Sequence, residues 1–253
     1  MNTQSEKRVV VVTGAAAGIG LATSKLFAQK GYSVVMSDRN EERGQKVKET
    51  LMTDHADVYF EAADVTDYNQ VKSLIDRVVT RFGRIDVLVN NAGIGPDSHQ
   101  RAADHDIASW DKIISVNQTG VFYGLKACLR VMSDQGSGTI VNVASLAGVK
   151  ASSTGLAYSA SKFAVVGMTK SAALEYAGKG IRVNCVCPSF TDTALFNDSP
   201  LGSDDVKPKL LRMVPLKRFA KPEEISEAIF WLASDASSYV TGQSMILDGG
   251  MAI

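Results

Sequence analysis

The chain has 253 residues, 45% of them hydrophobic, with 27 basic and 27 acidic side chains and no net charge. Length and apolar content suffice for one full-sized α/β core. The charge balance argues against nucleic acid or an anionic membrane surface as the main partner.

Residues Met1 to Arg8 are polar, and the apolar run Val9 to Val12 is too short for a secretory signal. No run is long enough to cross a bilayer. Three sparse cysteines, Cys128, Cys185 and Cys187, make no disulfide framework. Cys185 and Cys187 share one face of a predicted strand, where small buried hydrophobes are the simpler reading than a redox pair. These features point to a reducing, cytoplasmic compartment.

Seven short apolar runs follow one another: Arg8–Thr13, Ser33–Asp38, Asp57–Ala63, Asp86–Asn90, Gly138–Ser145, Ile181–Cys187 and Gln243–Asp248. Most are nearly continuous in valine and isoleucine, as strands buried on both faces are. Helical patterns fill the gaps. Val71, Leu74, Ile75, Val78, Val79 and Phe82 keep the 3.6-residue period, as do Ile225, Ala228, Ile229 and Leu232 behind Pro222. The alternation predicts an α/β fold of the Rossmann type: one doubly wound parallel sheet of about seven strands, with helices on both faces. No linker or repeat divides it, so 1–253 reads as a single dinucleotide-binding catalytic domain. One stretch, Thr191 to Arg218, breaks the rhythm with three prolines and its own apolar residues. It follows a strand's carboxyl end, where such sheets bind ligands, and reads as a substrate lid.

The first strand runs into Thr13-Gly14-Ala15-Ala16-Ala17-Gly18-Ile19-Gly20. Glycines there let the backbone turn sharply and approach a pyrophosphate, and a helix starting near Gly18 would aim its free N–H groups at that phosphate. The second strand ends on Asp38, about twenty residues on, placed to accept hydrogen bonds from the adenosine ribose hydroxyls. A capping role for Asp38 is unnecessary, since Asn40 can cap the next helix. Arg39 beside it could meet a 2′-phosphate. A carboxylate facing a phosphate costs about 3 kcal/mol, roughly a hundredfold, so the expected cofactor is NAD rather than NADP.

The fifth strand ends at Ser145. Tyr158 and Lys162 follow, one helical turn apart on one face. A nearby ammonium lowers a phenol pKa from about 10 towards the range useful for proton transfer. Ser145 can hydrogen-bond the reacting oxygen. The three histidines, His55, His99 and His105, have no metal spacing, so no metal is expected. His99 and His105 lie in a polar stretch that reads as exposed.

The ordered series Thr13-Gly14-x-x-x-Gly18-Ile19-Gly20, Asp64-Val65, Asn90-Asn91-Ala92-Gly93, Asn117, Ser145, Tyr158-x-x-x-Lys162 and Asp248-Gly249-Gly250 resembles the short-chain dehydrogenase/reductase family over essentially the whole chain. The resemblance implies Tyr158 as proton donor or acceptor and Ser145 as the holder of the substrate oxygen. Lys162 would bind the nicotinamide ribose and lower the tyrosine pKa. Asn117 would interrupt a helix and hold a water that links Lys162 to solvent. Cofactor contacts would come from Gly14, Ala17, Gly18, Ile19, Gly20, Asp38, Arg39, Asp64 and Val65 beside the adenine, and Asn91, Ala92 and Gly93 beside the ribose. Pro188, Thr191 and Thr193 would add contacts at the nicotinamide side. Ser189 stands where the family has glycine, a costly change if that position needs a positive φ. The family also implies a homotetramer, for which Ala172 and Ala173 on a Met168–Ala177 helix would permit close packing.

The expected reaction is hydride transfer between nicotinamide and an uncharged or weakly polar secondary alcohol or its ketone. The pocket would be lined by Ser145–Val149, Ala151–Leu156, Ile94–Asp97 and the lid. An NADPH-dependent 3-oxoacyl-thioester reductase is the alternative enzyme, and a non-catalytic NAD-binding sensor or scaffold the alternative of another class.

Overall fold

The computed structural model describes residues 7–54, 57–96, 100–151, 153 and 155–253. Its seven strands are β1 (Val9–Thr13), β2 (Ser33–Asp38), β3 (Val58–Ala62), β4 (Val87–Asn90), β5 (Gly138–Val143), β6 (Ile181–Pro188) and β7 (Ser244–Leu247). They pair in parallel in the order β3-β2-β1-β4-β5-β6-β7. The predicted strands thus form the predicted sheet, with ends shifted by one or two residues.

Alternation along the strands divides the core in two. Val9 and Val11 pack on one side with helices α3 (Tyr68–Phe82), α5 (Gly120–Gln135) and α6 (Leu156–Tyr176). Val10 and Val12 pack on the other with α1 (Gly18–Gln29), α2 (Glu41–Met52) and α9 (Pro222–Ala233). There Phe27 of α1 meets Tyr32 and Phe230 edge-on, at 4.9 and 5.2 Å. Burying a side chain of this size contributes about 2–3 kcal/mol.

The sheet changes winding direction between β1 and β4, both neighbours of β1 being parallel to it. A cleft opens at such a switch point, beyond the strands' carboxyl ends. Asn40 caps α2, its side chain accepting from Arg43 N–H at 3.0 Å, which leaves Asp38 free of that duty. Asp67 caps α3 in the same way.

Two positions differ from the sequence expectation. Ala172 and Ala173 lie in the sheet-facing core, at 6% and 3% exposure, so they are not surface contacts. Helix α6 begins at Leu156, well ahead of the predicted Met168. The large apolar side chains of α5 and α6 that remain exposed are Phe122, Leu156, Phe163 and Leu174. Among the described residues Lys217 is the one non-glycine with positive φ, so Ser189 carries no such strain. Its N–H bonds Leu247 O at 3.0 Å, extending the β6–β7 ladder.

Candidate active site

The glycine loop between β1 and α1 is braced from β4. Asn91 Nδ2 donates to Thr13 O at 2.9 Å and Gly14 O at 3.0 Å, while the N–H groups of Asn91 and Ala92 both donate to Thr13 Oγ1. The amide of Asn91, expected beside the ribose, is therefore committed to holding the loop. Gly14 has φ +63°, and a Cβ there would stand 2.7 Å from Ala92 Cα. At Gly20 a Cβ would lie 2.2 Å from Gly14 O. The loop is this tight because its main chain packs on itself and on the Asn91–Ala92 segment. No side chain caps α1 at Ala17, so its first N–H groups point outward unpaired by any cap.

Beside the loop, Asp38 is fixed by two backbone donors: Ala16 N–H at 3.2 Å and Asn40 N–H at 3.0 Å. Arg39, Asn40, Ala62, Ala63, Asp64 and Gln70 line a cavity of about 490 Å³ at the ends of β2 and β3. Asp64 holds Thr66 through its N–H and hydroxyl, and Val65 lies where a Cβ on Gly120 would touch it at 2.9 Å.

At the other end of the cleft, Ser145 follows β5 and caps a short turn, accepting from Ala147 N–H at 3.1 Å. Its hydroxyl acts on that of Tyr158, favouring the phenolate. Gly148 lets this turn lie against α6, since a Cβ there would be 2.6 Å from Lys162 O. Lys162 is 4% exposed, its Nζ donates to Val143 O at 2.9 Å, and it sits 5.7 Å from the Tyr158 ring centroid. Burial pushes the Lys162 ammonium down to about 8, against an opposing pull from Cys187 and Cys185.

Tyr158 corrects the expectation of a lowered phenol pKa. Burial raises it, and the Ser145 hydroxyl is what pulls it back.

Asn117 does interrupt a helix. A π-turn at Ser115–Thr119 joins α4 (Ile107–Ile114) to α5. Its side chain is fully used: Oδ1 accepts from Ile94 N–H at 2.8 Å, and Nδ2 donates to Ile94 O and Ser161 Oγ. Gly93 lies between this amide and Lys162, its Cβ position 3.3 Å from Asn117 Oδ1 and 3.5 Å from Lys162 Nζ.

The segment after β6 carries α7 (Ala194–Asn197) and α8 (Lys207–Met213). Its neck is pinched by the Thr191–Ala220 bridge and by Phe190, Phe196 and Phe219, whose ring centroids lie 4.9 to 5.9 Å apart. Thr191 is buried in that neck, while Thr193 caps α7 and faces the glycine loop, its Cγ2 3.2 Å from a Cβ on Gly18. Pro188 O accepts weakly from Ser145 Oγ at 3.5 Å. Asp97, His99, Ser152 and Thr154, expected near the pocket or exposed, lie outside the described residues, as does His55. His105 is partly buried rather than exposed, edge-on to Trp110.

Sequence reasoning missed a buried amide chain: Asn90 Nδ2 donates to Asn142 Oδ1 and Asn142 Nδ2 to Thr169 Oγ1, both at 2.9 Å. The signal was present, since Asn142 is a lone amide in an otherwise apolar strand.

An architecture of this kind defines a class, the dinucleotide-dependent oxidoreductases. Within it the chain belongs to the short-chain dehydrogenase/reductase family. A family model described as enoyl-(acyl carrier protein) reductase matches residues 14–252. A 3-oxoacyl-(acyl-carrier-protein) reductase of Thermotoga maritima is 44% identical over 98% of this chain and 99% of its own. A cis-4-hydroxycyclohexanecarboxylate dehydrogenase of Sinomonas cyclohexanicum is 43% identical over 96% of each chain. Among solved structures, levodione reductase superposes with a TM-score of 0.92 at 34% identity, covering 97% of each chain. A 3-ketoacyl-(acyl-carrier-protein) reductase from Brucella melitensis, complexed with NADH, gives 0.91 at 30% identity over 98% of this chain and 99% of that one. The protein is accordingly an oxidoreductase that works with a nicotinamide cofactor. The uncapped α1 terminus and the glycine cradle fit the pyrophosphate of such a group.

Proposed function

We propose that the protein is an NAD-linked dehydrogenase/reductase of secondary alcohols and ketones, acting as one catalytic domain with the segment around 191–218 as its lid. The observation that carries this is the Ser145–Tyr158 hydroxyl pair with buried Lys162 one turn further along α6. When bound, the nicotinamide supplies the hydride acceptor or donor. In the oxidising direction Tyr158 takes the hydroxyl proton, and in the reducing direction it returns one to the carbonyl oxygen. Ser145 holds that oxygen by a hydrogen bond, and the Lys162 ammonium stabilises the phenolate and binds the ribose. Asn117 fixes the Ile94 segment beside them. Gly14, Ala17, Gly18, Ile19 and Gly20 cradle the pyrophosphate. Ala92, Gly93, Pro188, Thr191 and Thr193 wall the nicotinamide half, and Asp64 and Val65 the adenine half.

For the cofactor, Asp38 is the selector: two backbone donors hold its carboxylate rigidly beside the loop, where a 2′-phosphate would meet a fixed negative charge. NADH should bind about a hundredfold more tightly than NADPH, and Asp38→Ser should erase most of that ratio. A preference for NADPH would overturn the assignment. Tyr158→Phe should abolish turnover while leaving NADH binding intact, and unchanged turnover would refute Tyr158 as the acid/base.

A second reading, an NADPH-dependent 3-oxoacyl-thioester reductase, is supported by the 44% identical relative and by exposed Arg39 at the adenine cavity. Side-by-side rates on 3-oxoacyl thioesters and on uncharged cyclic and acyclic ketones distinguish the two. Three free, buried cysteines agree with a cytoplasmic compartment. Exposed Phe122, Phe163 and Leu174 agree with assembly into a homotetramer.

A further inference from the structure

Ser161 lies between Tyr158 and Lys162 on α6, 0% exposed, and has no role in the proposed chemistry. Its Oγ donates to Tyr158 O at 2.7 Å and accepts from Asn117 Nδ2 at 3.3 Å. The same Nδ2 donates to Ile94 O at 2.9 Å, and Asn117 Oδ1 accepts from Ile94 N–H at 2.8 Å. A run of hydrogen bonds therefore leads from the segment after β4, through the buried Asn117 amide, to the main chain of Tyr158. That carbonyl has a second duty: in an α-helix it accepts the N–H four residues on, which belongs to Lys162. Ser161 thus grips the peptide group through which the backbones of Tyr158 and Lys162 are joined. A serine inside a helix often turns its hydroxyl back on a carbonyl of the preceding turn, and by itself that bond is local. Here the acceptor side of the same oxygen is taken by a side chain from the π-turn, in a place closed to water. Without the hydroxyl, one hydrogen of the Asn117 amide would lose its partner, and the amide would be held from the Ile94 side alone.

We propose that Ser161 is a positioning residue of the active site: it couples the Asn117–Ile94 pair to the Tyr158 main chain and so sets where the phenol stands. A hydroxyl that donates and accepts at once is fixed by its two partners, and each bond polarises the next. The wall beside the cleft and the catalytic helix then keep one relative placement, which an alanine at 161 would release.

The inference rests on Tyr158 serving as the acid/base, so Tyr158→Phe is measured alongside. The informative variants are Ser161→Ala, which removes both bonds, Ser161→Thr, which keeps the hydroxyl, and Ser161→Cys, close to serine in bulk but weaker in both bonds. Each is read by kcat and KM, by NADH titration, by melting temperature, and by amide hydrogen exchange in the cofactor-free protein. Ser161→Ala should lower kcat about tenfold, with KM and NADH affinity within about twofold of the parent. The Ile94 amide should exchange about fivefold faster or more, while the amides of β1 keep their protection. Ser161→Thr should bring both readouts back towards the parent. If its extra methyl prevents folding, Ser161→Cys should fall between alanine and parent in both. Parent-like kcat and Ile94 exchange in Ser161→Ala would make the hydroxyl a local helix bond and overturn the proposal. So would a change confined to melting temperature, or faster Ile94 exchange with kcat unmoved. If Tyr158→Phe is inactive and Ser161→Ala matches the parent, the Ser161 inference alone fails. If Tyr158→Phe keeps its turnover, the catalytic reading fails and the inference with it.

Discussion

Lys162 is a cation held at 4% exposure, with its pKa pushed down by burial to about 8 from the ordinary 10.5. The unfolded chain keeps its proton up to the higher value, the folded chain only up to the lower one. The stability deficit is therefore full below about pH 8 and shrinks as pH rises towards 10.5. Lys162→Met should abolish turnover and yet stabilise the fold at pH 7 by on the order of 2 kcal/mol, a gain that fades by pH 10. Denaturant unfolding at the two pH values checks this, and a gain independent of pH would contradict it. Tyr158 adds a second pH signature. With its phenol raised by burial, oxidation should speed up with pH above neutrality while ketone reduction slows. At this scale the sequence was legible wherever a residue belongs to a spaced series: Asp38, Ser145, Tyr158 and Lys162 all meet the cleft. It was not legible where one residue type serves two ends. The side-chain amide of Asn91, read as part of the ribose wall, also braces the glycine loop, a duty that no spacing announces.

The glycine loop and the lid are each held by main-chain proximity. Gly20→Ala would drive a methyl to 2.2 Å from Gly14 O, so the loop must open. Stability should fall by about 3 kcal/mol and dinucleotide affinity should collapse with it, measured by unfolding and NADH titration. At the lid's neck, Phe219→Ala removes one ring from the Phe190–Phe196–Phe219 cluster. KM for the alcohol or ketone should rise, and limited proteolysis should cut first within 191–218. Unchanged cleavage would mean that the neck does not restrain the lid. Buried strands were legible as apolar runs of the right length. The short helices inside the lid were not, because elements of four and seven residues leave no period to count.

The whole molecule places every strand's carboxyl end on one side, so that loops from β1, β2, β4, β5 and β6 converge on a single cleft. The sequence predicted this arrangement because seven strands separated by helices permit almost only parallel, right-handed crossovers. Assembly is a different matter, since the spacing of small residues cannot say which face of α6 is free. The exposed Phe163 and Leu174, the latter 85% exposed, are the side chains to test. Phe163→Asp with Leu174→Asp should reduce the assembly to smaller species in light scattering, with the fold intact by circular dichroism.

The chain's last turn is tied to the lid. Gly249 and Gly250 have positive φ and fit beneath Val214 and Pro215, Leu216 N–H bonds Gly249 O at 3.2 Å, and Lys150 Nζ reaches Met251 O at 3.3 Å. Arg8, by contrast, leads into the amino end of the central strand β1, bonded to Asp235 and Tyr32. For anyone preparing this enzyme the two ends are therefore not equivalent. A purification handle fused after Ile253 would pull on the Val214–Leu216 segment that the last turn holds, whereas one fused ahead of Arg8 would leave that segment undisturbed.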